Sequence, residues 1–70
     1  MLEDAGFVVY RLEPAIADAR ARVREQIRRV RATARDGGDV ALAMATLRCL
    51  RQAASTLTQL RRQLRVHGDV

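Results

Sequence analysis

The 70-residue chain contains no lysine, no tryptophan and no asparagine, and it holds a single cysteine, a single histidine, a single proline and two aromatic residues, Phe7 and Tyr10. One cysteine, Cys49, rules out an intramolecular disulfide, and with His67 as the sole histidine a zinc cluster has too few ligands. No apolar run approaches the ~20 residues that cross a bilayer, and the opening MLEDAG carries acids where a secretion signal carries basic residues. The expectation is a cytoplasmic protein without membrane contact, and a lone thiol fits a reducing compartment. A chain this short buries a small fraction of its surface, and one packed core supplies only ~3 to 5 kcal/mol. With disulfide and metal removed, a partner chain is the remaining support.

Catalysis lacks its parts as well. Cys49 falls inside a helical pattern with no histidine near it in sequence, so it reads as a structural residue rather than a nucleophile. His67 sits where a helix ends and suits the helix dipole there. The stretch DGGD, residues 36–39, lacks the lysine and the strand-to-helix context of a phosphate loop. The chain reads as non-enzymatic, with no cofactor, no metal and no small-molecule substrate, and no motif in it carries a family resemblance.

What is abundant is arginine, which accounts for all thirteen basic residues and a net charge of +5. Arginine alone, with no lysine, can mean selection for forked, phosphate-matching side chains. A GC-rich genome explains it too, and the abundant alanine and valine beside scarce isoleucine favour that account. Either way the charge favours anionic partners at low salt.

Three zones appear along the chain. Residues 1–13 are acidic and apolar, and the run Phe7, Val8, Val9, Tyr10 suits an extended or loosely ordered segment. Pro14 disfavours helix at Glu13 and is a good first helical residue, so a helix is expected over about 14–36. Its apolar residues Ile16, Ala19, Val23, Ile27, Val30 and Ala34 repeat every eleven positions, close to the natural helical period, which predicts a nearly straight helix. Asp36, Gly37, Gly38 and Asp39 then form a turn, with Gly37 closing one helix and Asp39 capping the next. The second helix, about 40–67, carries a heptad stripe of Val40, Ala43, Leu47, Leu50, Ala54, Leu57, then Leu60 or Arg61, and Leu64. Residues 14–70 therefore read as an all-α antiparallel helical hairpin.

Two helices touching along one seam leave much of these apolar faces wet. The expectation is a homodimer closing into a four-helix bundle. Its core or dimer seam is assigned to Ile16, Val23, Ile27 and Val30 on the first helix, and to Leu47, Leu50, Leu57, Leu60 and Leu64 on the second. Beside that seam, Thr46, Ala53 and Leu60 lie seven apart, and they read either as exposed surface or as the border of a second helix interface.

The charges divide unevenly. Residues 1–19 sum to −3 and residues 20–65 to +9, and the second helix holds no acid between Val40 and Gly68. On a helical wheel Arg24, Arg28, Arg31 and Arg35 form one row of neighbours, answered on the second helix by Arg48, Arg51, Arg62 and Arg65. Three readings compete for these eight. They grip phosphates, they meet acidic residues of a partner protein or of a neighbouring amino-terminal segment (Glu3, Asp4, Glu13, Asp18), or they are solvated. Arg20, Arg31 and Arg61, at the stripe margins, can also pack their stems over apolar surface. Specific DNA readout lacks its recognition turn, aromatic platform or zinc spacing. A ribbon-helix-helix arrangement of FVVYRL is disfavoured because the first helix looks twice too long. The leading expectation is a small interaction or regulatory protein that binds a macromolecular partner through an apolar seam or basic face; the alternative is phosphate-directed binding of DNA or RNA.

Overall fold

The structure, a computed structural model, describes residues 5–68, with side chains from Tyr10 to Val66. Two helices, α1 (Ala5–Asp36) and α2 (Val40–Gly68), pack against each other as a hairpin, and there is no strand among the described residues. The expectations that rest on Glu3 and Asp4, and on the side chains of Phe7, Val8, Val9 and His67, lie outside what is described.

The reversal between the helices follows the turn chemistry of residues 36–39. Gly37 has φ of +76°, the left-handed geometry that ends a helix and that glycine adopts without a Cβ clash. The Gly38 N–H then donates to the Thr33 carbonyl at 2.9 Å, so one of the orphan carbonyls of α1 is satisfied. Asp39 caps α2: its Oδ1 accepts the Leu42 N–H at 2.9 Å.

The amino-terminal expectation is corrected from Ala5 onward. Helix α1 begins at Ala5 and runs through Pro14, so residues 5–13 are helical rather than extended. Proline removes one backbone donor and crowds the preceding turn, at ~3 kcal/mol in an isolated helix. Tertiary contacts on both sides of it offset that cost. Leu12 is half-buried, Ile16 is buried, and Glu13 is ion-paired to Arg61 and Arg65 of α2.

The seam of α1 is also corrected. Its less exposed positions are Leu12, Ile16, Ala19, Val23, Gln26, Val30 and Thr33, which alternate steps of four and three. This is a heptad row, not the eleven-residue row read from the apolar residues alone. Gln26 is only 7% exposed and takes the seam position, Ile27 stands half-buried at its margin, and Ala34 is exposed. The matching row on α2 is Ala43, Leu47, Leu50, Ala54, Leu57, Arg61 and Leu64. Here Leu60 is the residue displaced: it is 43% exposed, and Arg61 occupies the seam. The physical reason is pairing. Two helices stay in contact over many turns only if both seams repeat every 3.5 residues, so α2's heptad draws α1 into the same period. Gln26 is tolerated because its Nε2 donates to the Ala43 carbonyl across the interface at 3.0 Å.

The result is long and thin, 54 × 16 × 15 Å. Its radius of gyration is 16.1 Å, where a compact 70-residue domain has ~11 Å. Among the described residues only Ile16, Leu47 and Gln26 are buried. The chain exposes 5381 Å², against ~4400 Å² for a compact monomer of its mass.

Candidate interaction surfaces

The seam divides the rest of the hairpin into two broad faces. Residues one position after the seam positions project to one side on both helices, and residues one position before them project to the other. The two sides differ sharply in charge.

The first face is basic. It brings together Arg20, Arg24 and Arg31 of α1 with Arg48, Arg51 and Arg62 of α2, all exposed. Arg20, Arg24 and Arg51 rim an open groove of about 290 Å³ whose floor is Val23 and Ala54. None of these six arginines has an ion pair among the described residues: Asp18, Glu25, Glu13 and Asp39 hold other partners, and Asp36 at the turn pairs with no arginine. Asp18 holds Arg22 at 3.1 Å, and Glu25 holds Arg28 at 2.8 Å and Arg29 at 3.6 Å. Glu13 reaches Arg61 at 2.9 Å and Arg65 at 3.1 Å, and Asp39 is spent on the cap. Exposed pairs of this kind contribute little to stability. Their consequence is electrostatic: they leave positive charge concentrated on one face.

Six of the eight arginines singled out in the sequence, Arg24, Arg31, Arg48, Arg51, Arg62 and Arg65, lie on this side of the seam, and Arg65 is tied there to Glu13. Arg28 and Arg35 do not: they sit two positions past the seam residues Gln26 and Thr33, toward the back of α1, and Arg28 is bound to Glu25. Arg20 joins the face in their place. The seam register decides this: with Gln26 and Thr33 in the seam rather than Ile27 and Ala34, Arg28 and Arg35 fall two positions past it instead of one. Glu13 also meets arginines of its own chain, Arg61 and Arg65, where the sequence alone points to a neighbouring subunit.

The second face is nearly uncharged on α2. Leu42, Thr46, Cys49, Ala53, Thr56 and Leu60 form a row in steps of four and three, and every one of them is exposed, Leu42 by 64%. The Thr46 hydroxyl donates to the Leu42 carbonyl at 3.1 Å, so its polar demand is met within the helix. Alongside on α1 run Asp18, Arg22, Glu25 and Arg29. Near the turn this face sinks into an open concavity of about 480 Å³ beside Leu42, lined also by Gln26, Arg29 and Thr46.

Cys49 is an exposed free thiol. Among the described residues there is no group of three or more histidine, cysteine, aspartate or glutamate side chains able to hold a metal ion, and no helix long and apolar enough to cross a membrane. Comparison with protein-family models, with curated proteins and with solved structures finds no match for this chain.

Proposed function

We propose that this is a small, non-enzymatic interaction or regulatory protein that works as a homodimer of helical hairpins and binds an acidic macromolecular partner through its basic face. The observation that carries the reading is the convergence of Arg20 and Arg24 with Arg51 around the apolar floor of Val23 and Ala54, with no acid among the groove's lining residues. Guanidinium groups over an apolar floor suit a partner that offers carboxylates beside an apolar side chain. The dimer is supported by the exposed area, which exceeds that of a compact monomer by about 1000 Å², more than the ~800 Å² per partner of a stable interface. The exposed thiol at Cys49 fits a reducing compartment such as the cytoplasm.

One observation favours a second reading, direct binding of DNA or RNA. The six unpaired arginines of the basic face are spread along both helices, as contacts to successive phosphates require. A titration of labelled duplex DNA, single-stranded RNA and an acidic peptide at low and physiological salt separates the two. Phosphate binding gives a log-linear fall in affinity with salt whose slope reports the phosphates neutralised. Binding to an acidic peptide but not to nucleic acid at physiological salt supports the leading reading, and loss of it in the Arg20, Arg24, Arg51 triple glutamate variant, with helicity retained, places it on this face. Salt-resistant nucleic-acid binding promotes the second reading, and no binding to any probe overturns both.

A further inference from the structure

The face opposite the arginines is self-complementary under a twofold axis, and we infer that a second copy of this chain docks there, α2 on α2 and α1 on α1, both antiparallel. This rests on the dimeric reading above and specifies its geometry.

The α2 row reads Leu42, Thr46, Cys49, Ala53, Thr56, Leu60. Reversed about a point at residue 51, it pairs Leu42 with Leu60 of the second copy, Thr46 with Thr56, and Cys49 with Ala53. Large meets large at both ends, threonine meets threonine, and two small residues meet at the centre, where helices must approach most closely. The α1 row on the same face reads Asp18, Arg22, Glu25, Arg29, alternating negative and positive. Reversed about a point between residues 23 and 24, it pairs Asp18 with Arg29 and Arg22 with Glu25, opposite charges throughout.

These two centres belong to one axis. Across the hairpin, Glu13 meets Arg61 and Arg65, and Arg20 and Val23 share a groove with Arg51 and Ala54. That register sets residues 23 and 24 of α1 beside residue 51 of α2. A single dyad therefore satisfies the apolar row and the charged row together. The alternative face-to-face packing, α2 on α1, sets the uncharged row against Asp18, Arg22, Glu25 and Arg29 and gives those charges no partner in the second copy beyond the pairs they make within α1. The basic faces turn outward on both sides of the dimer, away from each other. Leu60 of each copy enters the concavity beside Leu42 of the other.

The test uses the full chain. Cysteine placed at 53 by Ala53→Cys lies opposite Cys49 of the second copy, so mild oxidation yields a dimer joined by two symmetric disulfides. The unaltered chain crosslinks poorly, because its two Cys49 residues are offset by four positions, about 6 Å along the axis in addition to their lateral separation. Independently, Arg22→Glu sets like charges together and weakens the dimer about tenfold at low salt, and adding Glu25→Arg restores it. Both results support the inference. A chain that sediments as a dimer but shows neither the Ala53→Cys crosslink nor the charge rescue, or whose unaltered Cys49 crosslinks equally well, overturns this geometry and leaves the dimeric reading standing. A monomer at micromolar concentration with full helicity overturns both.

Discussion

Glu13 lies one residue before the proline of α1, and its Oε1 accepts a hydrogen bond from Arg61 Nη1 at 2.9 Å, 48 positions away. The same carboxylate accepts from Arg65 Nη2 through its second oxygen at 3.1 Å. This fork ties the turn that proline weakens to the far end of α2.

The two arginines should contribute unequally. The Arg61 side chain is 19% exposed and fills a seam position, whereas that of Arg65 is 58% exposed. Arg61→Ala loses packed stem as well as charge, and it is expected to cost about 1 to 2 kcal/mol, against well under 1 kcal/mol for Arg65→Ala. Chemical denaturation followed by circular dichroism measures both, and equal costs would place the stabilisation in the charges alone.

Gln26 offers a second test, since it is the one buried polar side chain of the seam. Gln26→Ala removes packing and the bond to the Ala43 carbonyl together, and a loss of about 1 to 2 kcal/mol is expected. Gln26→Leu restores apolar volume and should stay within about 1 kcal/mol of the parent. A leucine variant as unstable as the alanine variant would mean that the hydrogen bond, not the volume, holds the position.

The turn should resist substitution at both glycines for different reasons. Gly37→Ala places a Cβ in left-handed backbone, φ +76°, and is expected to cost about 1 to 2 kcal/mol. At Gly38 the obstacle is steric: a Cβ there comes within 3.0 Å of Thr33 Cγ2. Gly37→Asn, which tolerates left-handed geometry, should recover part of the first loss, and thermal melts of the three variants order them.

Seam and surface leucines should separate cleanly in stability. Leu47→Ala, at a buried position, is expected to lose about 2 to 4 kcal/mol, a large part of what so small a fold holds. Leu50→Asp, on the same row, should abolish most helicity. Leu42→Ala, at an exposed position, should leave helicity unchanged and affect only association. Loss of helicity in the Leu42 variant at concentrations where the parent is monomeric would contradict this division.

The hairpin was legible in the sequence because its signals are local. The glycine pair, the Asp39 cap and the spacing of Leu47, Leu50, Leu57 and Leu64 each act within a few residues, so neither needs the partner helix to be recognised. The start of α1 was not legible: Pro14 is a strong local signal, and only ion pairs to residues 61 and 65 and burial of Ile16 outweigh it. The basic face was half legible for a related reason, since Arg24, Arg31, Arg48, Arg51 and Arg62 were recognised while Arg28 and Arg65 proved to be engaged by Glu25 and Glu13.

Local sequence determined that there are two helices, where they reverse, and that the second carries a heptad row. Tertiary structure decided the register. Choosing Gln26 over Ile27 and Arg61 over Leu60 rotates each helix by one residue locally, and apolarity alone favours the opposite choice at both places. Interhelical pairing wins because a common 3.5-residue period is a property of two helices in contact. That rotation gathers Arg20, Arg24, Arg31, Arg48, Arg51 and Arg62 on one face, turns Arg35 toward the back of α1, and leaves the other face nearly free of net charge.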